Sequence, residues 1–160
     1  MNVNFIAILG AAAVPLLVGF LWYSKLLFAD AWMKVAKIKP EDLASFNPVK
    51  VFSLCFLFSI FISFVLQFLV IHQTGAIGMI GGDPTAAKES FTAFMSDYGT
   101  AFRTFKHGAL HGSMTGILFV LPIFGINALF EKLSWKYVLI HGGYWTICLG
   151  VMGGILCQWA

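Results

Sequence analysis

The chain has 160 residues, of which 59% are hydrophobic and 11% are charged, and its formal net charge is +3. An ordinary soluble domain carries about 25% charged residues, so this composition excludes a typical soluble fold and indicates a membrane protein. The basic residues are dispersed through the loops, and no basic patch with interleaved aromatic residues points to nucleic acid as a partner.

Four long apolar runs account for over half of the chain: 5–23, 51–71, 107–130 and 137–159. Each is roughly 28–36 Å long at the rise of an α-helix, which is enough to cross a hydrocarbon core of about 30 Å. The runs are apolar on every side, whereas a helix at the surface of a soluble protein has one apolar stripe. The sequence therefore predicts an all-α fold, an integral membrane four-helix bundle that forms a single domain over 1–160 with the lipid bilayer as its partner.

Lysine and arginine residues near the ends of the runs predict the orientation of this bundle. The first and third loops together hold seven basic residues, whereas the second loop holds three. Basic residues are retained preferentially on the cytoplasmic side of a membrane. We therefore expect the first and third loops in the cytoplasm and both termini outside.

The first loop has the spacing of an amphipathic helix. Its charged residues Asp30, Lys34, Lys37 and Glu41 step by four, three and four positions, which places them on one helical face. This spacing predicts a helix that lies in the inner interface of the membrane. Neighbouring aromatic side chains are predicted to anchor the chain at the same interface: Trp22, Tyr23 and Trp32.

The second loop is predicted to contain a flexible segment followed by an outer helix. The glycine-rich run 75–82 lacks the spacing of a phosphate- or dinucleotide-binding motif and is interpreted as a loop. Asp83 followed by Pro84 predicts a helix start, with an N-cap residue and then a proline at the first position. An apolar stripe over 91–105 predicts an amphipathic helix that runs on into the third span, with Gly99 as the expected bend.

Three histidines are candidates for a metal or haem site. His72 ends the second span, and His107 and His111 lie one turn apart on the third, so all three are expected at the outer membrane boundary, with Arg103 one turn above. A His-x-x-x-His pair can bind zinc or another transition metal, and a third histidine completes an open site. Haem held between His72 and His107 is a variant, and ordinary hydrogen bonding at the interface is the simpler alternative. His141 is expected about 20 Å deeper.

Other polar groups inside the spans are few. Gln67, Thr115 and Asn127 would line a path with His111 if the protein were a channel or transporter, and would otherwise form interhelical hydrogen bonds. The chain has no zincin motif, no Gly-x-Ser-x-Gly elbow and no aspartate inside a predicted span. We therefore expect no enzymatic activity.

Small residues recur at Gly-xxx-Gly spacing on the last two spans. In lipid, this spacing lets helix backbones approach closely, so it marks helix contacts. The contacts lie either within one bundle or at an interface with a second copy or another membrane subunit. The residues concerned are Gly108, Gly112, Gly116, Gly150 and Gly154.

The segment 21–28, Leu-Trp-Tyr-Ser-Lys-Leu-Leu-Phe, together with His111, Asn127 and Tyr144, resembles a family catalogued as domain of unknown function 1761. Lys25 replaces the proline that is usual in the first motif. The resemblance covers almost the whole chain and implies a small four-span protein of a bacterial inner membrane. It implies no activity.

Three functions are compatible with these patterns. The first is a non-enzymatic protein that acts by helix packing, either as a homo-oligomer or as an accessory subunit of a membrane complex. The second is a small channel or transporter for a small solute. The third is a protein that binds a transition metal or haem through its histidines.

Overall fold

The computed structural model describes residues 4–159, and every regular element within them is helical. Residues 1–3 and 160 of the predicted domain lie outside this part. In chain order the helices are α1 (Phe5–Trp22), α2 (Ala29–Ala36), α3 (Pro40–Ala44), α4 (Pro48–Val70), α5 (Gln73–Met79), α6 (Glu89–Tyr98), α7 (Phe105–Thr115), α8 (Leu121–Phe130) and α9 (Trp135–Trp159). In the described part, four stretches are long and apolar enough to cross a membrane: α1, α4, α7 together with α8, and α9. The predicted all-α four-span architecture is confirmed.

Contacts between the ends of the helices fix the topology. The side chain of Asn4 donates a hydrogen bond to the Trp159 carbonyl oxygen, with the two atoms 2.5 Å apart, so the described ends of the chain meet. At the opposite end of the bundle, Trp22 Nε1 donates to the Ile140 carbonyl oxygen at 3.1 Å. The spans therefore alternate in direction. We call the end with Asn4, Trp159 and the second loop the terminal end, and the end with the first and third loops the loop-1 end.

Helix α9 is the centre of the bundle. It contacts each of the other three spans, and 56% of its most apolar stretch is buried, against 17% for α4 and 17% for the third span. Leu66 and Val70 from α4 meet Met152 and Leu156 from α9 in the core, where each is at most 2% exposed. The outward surfaces of the other spans remain apolar, because the surrounding solvent at this depth is lipid.

Glycines bring α7 into backbone contact with α9. A Cβ atom on Gly108 would overlap the carbonyl oxygen of Gly153, and one on Gly112 would overlap the carbonyl oxygen of Leu149. Such close approach replaces side-chain interdigitation with dispersion between backbones. The remaining predicted glycines also face the neighbouring span of the same chain: Gly116, Gly150 and Gly154. These glycine faces are therefore used inside one bundle and do not by themselves indicate a partner.

The third span is not a continuous α-helix. A π-helical turn, Gly116–Val120, separates α7 from α8, and Pro122 is the second residue of α8. Proline has no N–H to donate and disturbs the preceding turn of a helix, and wider π-type turns are one way to accommodate such a disturbance.

The charged residues of the first loop do not share one helix. Lys37 adopts a left-handed conformation with φ of 57° and ends α2, and Pro40 disfavours helical backbone at the residue before it. Asp30 and Lys34 lie on α2, whereas Glu41 belongs to the separate helix α3. The prediction of one charged face over these four residues was wrong.

The start of the second loop is helical, although the run 75–82 was predicted to be a loop. Helix α5 covers the first part of this run. The amide of Gln73 donates to the carbonyl oxygens of Tyr98 at 2.8 Å and Ala101 at 2.9 Å, which holds α5 against the end of α6. These tertiary hydrogen bonds override the low helix propensity of glycine. The chain then turns at Gly81, where φ is 66°.

The outer helix starts later than Asp83 and stops before the third span. The Asp83 carboxylate accepts hydrogen bonds from the Thr85 hydroxyl at 2.7 Å and the Thr85 backbone N–H at 2.9 Å, which hold the pKa of this carboxyl below its ordinary value. The turn that it caps is a short 3-10 helix, Pro84–Ala86, and α6 begins at Glu89. Phe102, with φ of 62°, interrupts the helical backbone between α6 and α7. The outer helix therefore does not run on into the third span, and it ends at the expected bend, because Gly99 is the C-cap residue of α6.

Candidate metal centre

Two segments of the chain bring the three histidines to the terminal end. His72 comes two residues after Val70, the last residue of α4, and is the N-cap residue of α5. His107 lies in the first part of α7, and His111 lies one turn further along. Side chains four residues apart project from the same side of a helix, so α7 presents both rings together.

Local contacts fix the positions of both segments. The side-chain oxygen of Thr104 accepts a hydrogen bond from the His107 backbone N–H at 3.3 Å and caps α7. Gly108, which lies between His107 and His111 in the chain, contacts the backbone of α9. Helix α7 therefore cannot approach α9 more closely. Ile71, which precedes His72, is 1% exposed in the core. The histidines are therefore held on a rigid framework.

The rings of His72, His107 and His111 lie close enough to share one metal ion. Nε2 of His107 is 2.8 Å from Nε2 of His72, and the ring centre of His111 is 5.1 Å from that of His72 and 4.5 Å from that of His107. One nitrogen from each ring lies within 4.8 Å of the other two. Nitrogens bound to a tetrahedral zinc ion lie about 3.3 Å apart. In the structure His72 and His107 are hydrogen-bonded to each other, and these two nitrogens would have to separate by about 0.5 Å to share a zinc ion.

Phe102 covers the histidines. Its ring stacks on His107 at a centroid distance of 5.0 Å and meets the His72 ring edge-on at 6.1 Å. Its left-handed backbone costs a non-glycine residue about 1–2 kcal/mol, and such conformations persist where surrounding contacts hold them. One such contact is the Cys157 thiol, which donates to the Phe102 carbonyl oxygen at 3.3 Å. The fold therefore maintains an unfavourable backbone where it places an aromatic ring over the histidines.

A cavity of 260 Å³ adjoins His72. Gln73 also lines the cavity and is 5% exposed, and its side-chain oxygen has no hydrogen-bond partner among residues 4–159. The cavity touches His72 but neither His107 nor His111, so it extends from one edge of the histidine cluster. The other lining residues are Phe94, Tyr98, Ala101 and Phe102.

Arg103 does not join the histidines. Its Nε donates instead to the Cys157 carbonyl oxygen at 2.9 Å. That carbonyl lies near the carboxyl end of α9, where helix carbonyls carry partial negative charge and attract cations. The expected position of Arg103 beside His107 was therefore wrong, and this guanidinium contact fixes the loop to α9.

His141 and the predicted interface anchors lie at the opposite end of the bundle. The Tyr23 hydroxyl is 3.0 Å from Nδ1 of His141, and its ring is 5.1 Å from that of Trp32. Trp22 donates to the Ile140 backbone, as described above. These aromatic residues attach α1 and the first loop to α9.

Gln67, Thr115 and Asn127 do not form one polar path. Gln67 is 1% exposed, and neither its amide nitrogen nor its oxygen has a hydrogen-bond partner in the described chain. The Thr115 hydroxyl donates to the His111 carbonyl oxygen at 2.8 Å. Asn127 is exposed near the loop-1 end of α8. The three residues occupy separate environments.

Two residues of the site, Gln73 and Phe102, were not assigned to it from the sequence. Gln73 is adjacent to His72 in the chain, and this adjacency is a signal that could have been used. The position of Phe102 depends on its positive φ, and phenylalanine in a sequence carries no signal for that conformation.

The comparisons with known proteins agree with the family resemblance. A family model described as "Protein of unknown function (DUF1761)" matches residues 6–157, a range that includes all three histidines. No curated protein matches the chain, and no solved structure matches it. The resemblance carried by the segment 21–28 is thereby confirmed. The chain belongs to the DUF1761 family of proteins of unknown function.

Proposed function

We propose that this multi-pass membrane protein binds one divalent transition metal ion, zinc first, through His72, His107 and His111. The observation that carries the proposal is the convergence of one ring nitrogen from each histidine within 4.8 Å. Neutral imidazole is a favoured ligand of zinc, copper and nickel. Three protein ligands with a fourth open position is an arrangement that zinc adopts in proteins.

The same geometry favours a bare ion over haem. An iron held between two opposed imidazoles would put their nitrogens about 4 Å apart, at metal–nitrogen distances like those of zinc. The two Nε2 atoms of His72 and His107 are 2.8 Å apart, in direct contact. Phe102 stacks on His107 where a porphyrin would require space. Haem binding would therefore require the two Nε2 atoms to separate by about 1 Å and the Phe102 ring to leave the His107 ring.

The ion would link the two least buried spans. The most apolar stretches of α4 and of the third span are each 17% buried, so most of each span faces outward and the two spans share less of the core than α9 does. A metal ion bound by His72 after α4 and by His107 and His111 on α7 adds a direct link between them. An ion that binds only the folded chain stabilises it by about 2.7 kcal/mol when its free concentration is 100 times Kd. We therefore propose that the ion stabilises the contact between these two spans, and its open fourth position leaves room for a water or another ligand.

An assembly role for the glycine faces has less support. Gly108 and Gly112 lie against α9 of the same chain, so the feature that suggested a second subunit is already used. A transport role is not favoured by any continuous set of polar side chains in the described part, because Gln67 and Asn127 lie in separate environments. Metal binding is better supported, because the side chains that it requires lie close together.

Zinc titration calorimetry on the purified protein tests the proposal, with His111→Gln as the variant and His141→Gln as its matched control. A zinc site in a small domain contributes about 10–16 kcal/mol over four ligands, so losing one ligand should weaken binding by at least about 50-fold. We expect one zinc per wild-type chain, the same for the His141 variant, and a rise in Tm with zinc that the His111 variant lacks. Equal zinc affinity in the wild type and the His111 variant would contradict the proposal.

We infer that the metal centre faces outside, in a bacterial inner membrane. The inference is supported by the seven basic residues of the first and third loops against three in the second loop. Alkaline phosphatase fused after residue 160 should then be active, and green fluorescent protein fused there should not fluoresce. The opposite pattern would place the centre on the cytoplasmic side.

A further inference from the structure

A second concave site lies at the loop-1 end, away from the histidines. It is a groove of 790 Å³ between α1, α4 and α9, closed at its end by parts of α2 and α3 and by Phe46 after α3. This volume falls within the range of about 300–1,000 Å³ that is usual for small-molecule sites. Residues that define its walls are Pro15, Phe20, Val51, Phe58, Tyr144 and Trp145.

The groove offers few free hydrogen bonds to an occupant. The Ser24 hydroxyl donates to a backbone carbonyl at 2.7 Å, the Ser59 hydroxyl does so at 2.8 Å, and the Tyr144 hydroxyl does so at 2.7 Å. The Tyr23 hydroxyl is paired with His141. The remaining surface is largely aliphatic and aromatic. An apolar occupant therefore fits the groove without leaving these four hydroxyls unpaired.

The length and opening of the groove match a chain from one leaflet. Its walls extend from Pro15 to Tyr23 on α1 and from Val51 to Ile62 on α4, which corresponds to about 12–16 Å at the helical rise. This is about half of a 30 Å hydrocarbon core. Phe20 at the rim is 86% exposed, so the groove opens towards lipid rather than into the bundle.

Basic residues lie beside the headgroup end of the groove. Lys25 follows the lining residue Ser24, and Lys50 precedes the lining residue Val51. Both lysines are exposed. Residues 24–50 carry five lysines against three carboxylates, and basic clusters at the end of a span attract anionic lipids.

We propose that the groove binds one acyl chain of an anionic phospholipid from the leaflet at the loop-1 end, with the headgroup between Lys25 and Lys50. The protein then holds a specific lipid at one end and a metal ion at the other. The lipid site is independent of the metal site, because the two share no residue and lie at opposite ends of the bundle.

Native mass spectrometry of the protein released from nanodiscs tests this proposal. The nanodiscs contain equal amounts of phosphatidylglycerol and phosphatidylcholine. We expect wild-type protein to retain one phosphatidylglycerol in clear preference to phosphatidylcholine. Equal retention of the two lipids, or a dimer that carries no lipid, would overturn the proposal.

Substitutions distinguish a lipid that is bound in the groove from lipid that is bound elsewhere on the protein. Cys55→Phe fills the groove and should abolish retention of the lipid. The matched control is Leu54→Phe, because Leu54 is the preceding residue of α4, is exposed and does not line the groove. This control should retain the lipid like the wild type. Lys25→Gln with Lys50→Gln should reduce the preference for phosphatidylglycerol by at least about tenfold, and Lys106→Gln, beyond the other end, should not. Undiminished retention in the Cys55 variant, or an unchanged preference in the double lysine variant, would refute the assignment.

Thiol labelling gives a test that requires no substitution. Cys55 lines the groove and is exposed, whereas Cys148 and Cys157 are 0% exposed. An apolar maleimide should therefore react with Cys55 alone. Phosphatidylglycerol added to delipidated protein should slow this reaction several-fold more than phosphatidylcholine does. Equal rates with both lipids would count against a selective site.

Discussion

Substitution of Gly112 by alanine should destabilise the protein, because α7 and α9 touch there through their backbones. A Cβ atom at this position would lie against the Leu149 carbonyl oxygen, more than 1 Å inside ordinary contact distance. The obstacle is helical backbone, which cannot rotate away like a side chain, so α7 must retreat by about 1 Å. Overpacking of this kind costs about 1–3 kcal/mol.

Gly10→Ala is the matched control. Gly10 also lies inside a membrane-spanning helix, but a Cβ there meets nothing within 4 Å. With no clash, alanine should stabilise the helix by about 0.5–1 kcal/mol, because glycine loses more backbone entropy on folding. The two substitutions are chemically identical and should change the free energy of unfolding in opposite directions.

Reversible unfolding in mixed micelles, followed by circular dichroism, measures both variants. Because His111 precedes Gly112, the retreat of α7 should also weaken zinc binding in the Gly112 variant, while the Gly10 variant should bind zinc like the wild type. A Gly112 variant as stable as the wild type would refute the backbone contact between α7 and α9. Equal destabilisation by Gly10→Ala would show that the effect comes from glycine replacement in general.

Three further substitutions test single contacts. Thr104→Ala removes the cap of α7 and should cost about 1 kcal/mol in unfolding free energy, with weaker zinc binding at the adjacent His107. Phe102→Gly should be more stable than Phe102→Ala by about 1 kcal/mol in the same assay, because alanine keeps the cost of the left-handed backbone; equal stabilities would refute this. Trp22→Phe removes the hydrogen bond to Ile140 and should cost about 1 kcal/mol, and an unchanged Tm would contradict that contact.

The architecture of the membrane part could be predicted because it depends on local composition. A run of apolar residues of sufficient length must cross the bilayer as a helix, since its backbone polar groups have no other partners there. The runs 5–23 and 137–159 therefore became helices close to their predicted limits. The proximity of His72 to His107 and His111 could also be predicted. The second span ends and the third span begins on the same side of the membrane, so residues at that end of both spans lie close together.

The loops could not be predicted to the same degree, because distant contacts decide their backbone. Helix α5 forms over glycines because Gln73 is bonded to residues 25 and 28 positions later. Arg103 turns towards the carboxyl end of α9, which is close in space but 54 positions away in sequence. The spacing of residues along the chain indicates neither of these contacts. The groove at the loop-1 end likewise arises between helices and leaves no pattern in any one of them.

X-ray absorption at the zinc edge of the zinc-loaded, purified protein shows directly which atoms bind the ion. We expect three nitrogen ligands at about 2.0–2.1 Å and one further oxygen ligand, with no sulfur. The imidazole scattering should be lost together with the bound zinc when His72, His107 and His111 are replaced by glutamine. Sulfur at about 2.3 Å, or zinc retained by the triple variant, would show that the ion binds elsewhere and would contradict a three-histidine site.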